Sequence, residues 1–387
     1  MRNFLVACLL AILSTFMLTF TVQGSEGHSL PADSHPASLC IPGVYLDVET
    51  ECQVLGPAAY LTQIAYIEAQ IAAQPTRFPT ISEEFGKSDF NYFRVNDNSN
   101  NLFYSLDTAA ANSQSVDSMY EGYTFASYTS MVELNGKKYF ELGDGNWMRG
   151  SAVSYYAAPN PFLGVQPVET PTRKFGWLLK ETATLTDAGY YAPRTGNFIP
   201  RYTLVEVFDH ERIGLSDWYM IAPDEWIHMT QVALVYPTEQ PPTGVENGRW
   251  IEINIFEQTL SVYENNRLVF ATLVTSGSSR NFTRPGLFKI YEKLESTTMA
   301  GDLGDEDAAY FLMDVPWTMY FDDRRALHAE YWHDHLGYKS SHGCVNMSFP
   351  DSDWLYQWAE YSDWVYAWDP SGQTPVDPKL FTQHLED

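Results

Sequence analysis

The run Trp250-Ile251-Glu252-Ile253-Asn254-Ile255 places its isoleucines at every second position. Only an extended strand carries residues so spaced on one face, because successive side chains of a strand point to opposite sides. Leu260 and Val262 resume the pattern after a turn at Glu257-Gln258, and Asn265-Asn266 turns the chain into the apolar stretch from Leu268 to Val274. The pattern predicts a β-meander with one buried face. Upstream, the chain repeats itself after 79 residues without a gap: Tyr123-Thr124-Phe125 aligns with Tyr202-Thr203-Leu204, Tyr139-Phe140 with Trp218-Tyr219, and Leu142 with Ile221. Trp147-Met148 aligns with Trp226-Ile227 and Val153 with Val232. Each copy is built of short aromatic and β-branched runs broken by hairpin signals such as Asn135-Gly136 and Gly143-Asp144-Gly145-Asn146. A mainly β fold follows.

The two copies, about 90–158 and 172–237, resemble bacterial SH3-like domains, which implies two small β-barrels acting as wall-binding or spacing modules. Trp147 and Trp226, repeating in register, read more simply as core residues that each copy needs. Between the copies, 157–172 carries Pro159, Pro161, Pro167 and Pro171 and reads as a stiff linker. A second linker, 237–248, contains Pro241-Pro242 and Gly244.

The 387 residues, 45% of them hydrophobic, allow several ordinary buried cores. Residues 1–24 read as a secretory signal: Arg2 begins it, the run from Leu5 to Val22 is apolar, and Val22-Gln23-Gly24 offers a small-residue cleavage site. The alternative is an uncleaved membrane anchor, the only route by which a membrane enters this reading. The run continues well past Cys8, so Leu5-Val6-Ala7-Cys8 is not read as a lipoprotein signal. Residues 25–89 form a leader, a loop between Cys40 and Cys52, and a short helix opened by Gly56-Pro57 with Tyr60, Ile64, Ile67 and Ile71 on one stripe. In an oxidising compartment Cys40 and Cys52 pair as a disulfide, which leaves Cys344 as the odd thiol. A formal charge of −26 argues against nucleic acid and other polyanions as partners.

Chemistry concentrates between His328 and Asn346, where one thiol is surrounded by His328, His333, His335 and His342. A nucleophilic thiol needs a base, a group to hold that base, and N–H donors where the attacked carbonyl gains charge. Gly343, lacking a Cβ, lets its own N–H and that of Cys344 approach a substrate as an oxyanion hole. An inert buried cysteine is the plain alternative. A zinc site of His328, His333, His335, His342 and Cys344 is another, though their spacing lacks the paired ligands of structural zinc.

The string Ser341-His342-Gly343-Cys344-Val345-Asn346, with His328 sixteen residues before the cysteine, resembles the signature of the L,D-transpeptidase (YkuD-like) family. The resemblance covers roughly 248–368, within a catalytic domain drawn at 246–370 and expected to be a β-sandwich. It includes Thr283-Arg284-Pro285-Gly286, whose proline is displaced by one position from the family pattern, and reaches Trp354, Leu355 and Trp358, which share one helical face. It implies an enzyme that cross-links peptidoglycan through a cysteine acyl-enzyme, with Cys344 as nucleophile, His328 as base, and His342 shaping the site beside Ser341. Ala329 stands where the family uses a backbone carbonyl to hold the base. Asn346 would hold the nucleophile loop or touch the stem peptide; Tyr331 and Trp332 would wall the acyl pocket; Met299 lies where relatives carry a lid. Expected partners are peptidoglycan stem peptides and carbapenem-type inhibitors, and no cofactor is implied. Hydrolysis of the same acyl-enzyme would make an L,D-carboxypeptidase, and a non-catalytic wall-binding protein is the reading from another class.

Overall fold

The computed structural model describes residues 77–95, 100–119, 122–150, 156–157, 159–278, 281–301 and 309–376. The export signal, the Cys40–Cys52 pairing and the helix after Gly56-Pro57 lie outside the described residues. The described chain belongs to one compact unit, Thr76–Asp387, and is mainly β.

The predicted meander forms as read. Trp250–Asn254, Thr259–Glu264 and Arg267–Leu273 pair antiparallel in succession. Asn265 and Asn266, with φ of 54° and 61°, make the tight turn between the last two. Both adopt the left-handed conformation that asparagine tolerates better than most residues. Trp364–Trp368 then adds parallel to Trp250–Asn254, and Gly286–Lys289 completes a five-stranded sheet.

The expectation of one buried face fails, because both faces are covered. Ile251, Ile253 and Ile255 enter a core with Met319, Phe321, Leu327, Val345 and Met347 of a second sheet and with Trp354 and Leu355 of the helix Phe349–Trp358. On the other side Trp250, Tyr263, Leu268 and Leu273 pack against Phe175, Trp177, Ala233 and Val235 of the second repeat. Trp250 lies flat on Tyr263 with ring centroids 4.2 Å apart. Each fully buried side chain of this size contributes about 1.5–3 kcal/mol relative to exposure. Glu252 is tolerated there because the indole N–H groups of Trp250 and Trp368 donate to its carboxylate at 3.3 and 3.1 Å. Burial pushes its carboxyl pKa up to about 7, against those two hydrogen bonds.

The 79-residue repeat is a repeat of structure. Ser130–Leu134 and Lys137–Glu141 form a hairpin, as do their counterparts Asp209–Ile213 and Ser216–Ala222. Each copy has a five-stranded antiparallel sheet in corresponding order. Each also has a three-strand set: Tyr123–Tyr128, Asn91–Arg94 and Tyr156–Ala157 in the first, Leu204–Glu206, Phe175–Leu178 and Val232–Val235 in the second. The copies differ at one edge. In the first, Tyr123–Tyr128 pairs parallel with the long strand Tyr310–Asp322, so its three strands continue the second sheet. The limit drawn at residue 158 therefore does not close a sheet. Trp226 is buried and Trp147 half-buried beside Phe103 and Tyr139, the core placement read from their register.

The proline-bearing segment between the copies is a packed strap rather than a free spacer. Val165 bridges both Thr80 and Ala271, and the Gly164 N–H donates to the buried Asp351 carboxylate at 2.6 Å. A Cβ on Gly164 would sit 2.7 Å from the Ala271 carbonyl oxygen, so only glycine fits this approach.

Candidate active site

The second sheet runs Val345–Met347, Arg325–Ala329, Tyr310–Asp322, with Glu292–Gly301 also paired to the long strand. Val345–Met347 is parallel to Arg325–Ala329, with Leu327 opposite Val345 and His328 opposite Asn346. Alternation turns Leu327, Val345 and Met347 into the core and sets His328 and Asn346 on the other face; Cys344, two positions before Asn346, follows them. The sixteen-residue separation is thus closed by a short parallel ladder.

His328, Asn346 and Cys344 line one cleft of about 370 Å³, with Ser341, His342, Met299 and Trp332. His328 is 2% exposed. Its Nδ1 lies 2.9 Å from the Ala329 carbonyl oxygen. A carbonyl only accepts, so Nδ1 carries the hydrogen and Nε2 keeps its lone pair. Burial lowers the imidazole pKa to about 4, the Ala329 carbonyl opposing this and His333 adding to it. The Cys344 thiol is partly exposed and donates to the Arg324 carbonyl at 3.7 Å. Burial raises its pKa, offset in part by the Ala326 N–H and the Arg325 guanidinium. Both groups of the cleft are therefore neutral at rest, and the proton must move as the sulfur attacks.

The loop before the thiol is held from several sides. The Ser341 hydroxyl donates to the Cys344 carbonyl at 2.5 Å and accepts the Gly343 N–H at 3.1 Å. The Thr283 hydroxyl donates to the Gly343 carbonyl at 2.8 Å, so the Thr-Arg-Pro-Gly string buttresses the nucleophile loop. Gly343 has φ of +113°, and Arg325 packs so closely that a Cβ would meet its Nε at 3.2 Å. The Gly343 N–H, expected to face an oxyanion, here donates to the Ser341 hydroxyl. His342 is exposed and lies over Tyr310, ring centroids 4.8 Å apart, at the mouth of the cleft. Asn346 is buried, its backbone N–H and carbonyl both bonded to Thr275.

Tyr331 does not wall the cleft. Its ring is stacked on Tyr92 at 3.7 Å and its hydroxyl donates to the Met313 carbonyl, so just past the strand Arg325–Ala329 it turns inward while Trp332 faces the cavity. Met299 lines the cleft from the strand Glu292–Gly301. Among the described residues, no group of three or more His, Cys, Asp or Glu is placed to hold a metal ion.

Several lining residues escaped the sequence reading. Tyr310 and Leu312 belong to the long strand, and His333 and Ser340 to the loop after His328. Tyr123 comes from the first repeat, its hydroxyl 3.4 Å from the Trp332 carbonyl and Arg94 over its ring. No local signal pointed to Tyr123, because the strand pairing that brings it there joins distant segments. His333 was visible as an imidazole in the right loop and was read as a zinc-ligand alternative or as part of a solvated or substrate-edge loop.

A partly exposed thiol and a tautomer-fixed imidazole on one face of a parallel ladder define a site able to attack a carbonyl carbon. Residues 248–373, which hold this site, match the family model of YkuD, the L,D-transpeptidase catalytic domain. YciB of Bacillus subtilis (strain 168), a provisional L,D-transpeptidase, is 26% identical over 121 residues, 28% of this chain and 59% of that protein. Among solved structures, an L,D-transpeptidase from Stackebrandtia nassauensis is 27% identical over 34% of this chain and 59% of its own, with a TM-score of 0.28. The catalytic domain of an E. faecium L,D-transpeptidase acylated by ertapenem is 25% identical over 32% of this chain and 100% of its own, with a TM-score of 0.29. The chain thus spans 59% of the length of YciB and of the Stackebrandtia enzyme.

Proposed function

We propose that this protein is a secreted, wall-associated L,D-transpeptidase. The Cys344 sulfur attacks the carbonyl of the bond between the third residue of a tetrapeptide stem and its terminal D-alanine. The His328 Nε2 takes the thiol proton and returns it to the departing amine, so D-alanine leaves and a thioester remains. A side-chain amine of a second stem then displaces the sulfur and completes the cross-link. The export signal at 1–24 delivers the chain to the wall, and the two repeats at 90–158 and 172–237 serve as SH3-like modules ahead of the catalytic domain. Carbapenems, being strained acyl donors, enter as inhibitors at the same thiol, in keeping with the ertapenem-acylated E. faecium relative.

The observation that carries this reading is the 2.9 Å contact between His328 Nδ1 and the Ala329 carbonyl oxygen, which aligns the base without a third side chain. Incubation with disaccharide-tetrapeptide tests it. Cross-linked dimer with equimolar free D-alanine is expected from the wild type and not from Cys344→Ala. Release of D-alanine that persists in Cys344→Ala would contradict it.

A further inference from the structure

Two residues beyond His328 lies a carboxylate that the reaction above does not use. Glu330 is fully buried, and neither of its oxygens has a hydrogen-bond partner among the described residues. A buried carboxylate without hydrogen bonds is costly, so its neighbours carry information. Facing it is His333, whose Nδ1 lies 3.2 Å from Glu330 Oε2, an ion-pair distance off the hydrogen-bond line. The other ring nitrogen of His333, Nε2, faces Ser340 Oγ at 3.4 Å. Both His333 and Ser340 line the cleft that holds Cys344. The His333 ring is fixed by His335, stacked at 4.8 Å, and by the edge of Trp332 at 6.1 Å.

The groups facing this pair come from three elements. His328 lies on the preceding strand, and the amide of Asn346, from the parallel strand, points at Glu330. His335 belongs to the same loop. Burial raises the Glu330 carboxyl pKa, while His333, Asn346 and His335 pull it down. A carboxylate behind one ring nitrogen and a hydroxyl before the other is the arrangement that orients an imidazole. Here it ends in the cleft, separate from the His328–Ala329 arrangement.

We propose that His333, oriented by Glu330, is the base that receives the proton of the acceptor amine when the Cys344 thioester is resolved. This rests on the transpeptidase reading and divides its two half-reactions between two imidazoles. In the second half-reaction the neutral amine nitrogen attacks the thioester carbonyl. The C–N bond forms, the C–S bond breaks, sulfur leaves as the Cys344 thiolate, and the proton shed by nitrogen passes to His333 Nε2. Ser340 would hold the incoming amine through its hydroxyl, and Glu330 acts as a positioning residue.

The test compares the two half-reactions in the full chain. Carbapenem acylation of Cys344 reports the first; cross-link formation from a tetrapeptide donor and an amine-bearing tripeptide stem reports the second. His333→Gln is expected to lower cross-linking about 100-fold more than it lowers acylation. Hydrolysis product should rise relative to cross-link. Glu330→Gln, which keeps the shape of the buried side chain, should shift the same ratio in the same direction, so a folding defect in one variant does not decide the matter. Acylation and cross-linking falling by one common factor in both variants, or a ratio equal to wild type, would overturn the assignment. A wild type that forms no acyl-enzyme would fail the transpeptidase reading itself.

Discussion

His328 is a base whose strength is set by what surrounds it. Burial holds its folded pKa near 4, below the roughly 6.5 of an exposed histidine. The unfolded chain therefore binds more protons than the folded one between those values. Stability from this residue is fully present above about pH 6.5 and is lost as pH falls toward 4. The same numbers keep the resting pair neutral, so at pH 7 Cys344 should alkylate with iodoacetamide more slowly than a free cysteine; faster alkylation would point to a thiolate–imidazolium pair instead. His328→Gln should lower carbapenem acylation about 100- to 10,000-fold while the thermal melt stays close to wild type. A parallel loss of melting temperature and activity would make His328 a structural residue. At this scale the sequence was most informative, because Ser341 to Asn346 is one contiguous loop whose chemistry is local. It was least informative for Tyr331 and Trp332, adjacent aromatics of which one turns into the core and the other into the cleft.

Among the elements, the helix Phe349–Trp358 does more than cover the sheet. Trp354 stacks on Phe270 at 4.2 Å and Leu355 fills the core, as the shared helical face predicted. Its first turn carries Asp351, whose buried carboxylate accepts from the Thr272 hydroxyl and the Gly164 N–H and so binds helix, meander and strap together. Burial pushes the Asp351 pKa up to about 7, against those hydrogen bonds. Because the folded value lies above the unfolded value of about 4, this contribution is greatest below pH 4 and declines as pH rises toward 7. Asp351→Ala leaves the Gly164 N–H without an acceptor and the Thr272 hydroxyl with only the Leu273 carbonyl, and a loss of about 1–3 kcal/mol is expected in urea unfolding. An unchanged midpoint would show that the strap is not held there. None of this was visible beforehand, since a proline-rich segment looks like a spacer until its partner, nearly 190 residues away, is known.

For the molecule as a whole, the catalytic sheets are not closed by the segment that matches the family. Trp250, Tyr263, Leu268 and Leu273 are covered by the second repeat, and Tyr123 of the first repeat extends the catalytic sheet and lines its cleft. A fragment of residues 246–376 would expose that apolar face and lose one wall of the site. It should melt lower than residues 76–387 and associate on sizing columns; a monomeric fragment of equal stability and full acylation would show that the repeats are accessory. The duplication was legible at 79-residue spacing because strand and turn residues recur in register. What each copy packs against was not, since an exposed and a covered sheet face differ only in partners supplied by distant chain. The central claim, that Cys344 is the acylated group in this cleft, is tested most directly by intact-mass measurement after exposure to a carbapenem. One adduct per chain, mapped by peptide digestion to Cys344 and missing from Cys344→Ala, is the predicted result; an adduct that survives the substitution would contradict it.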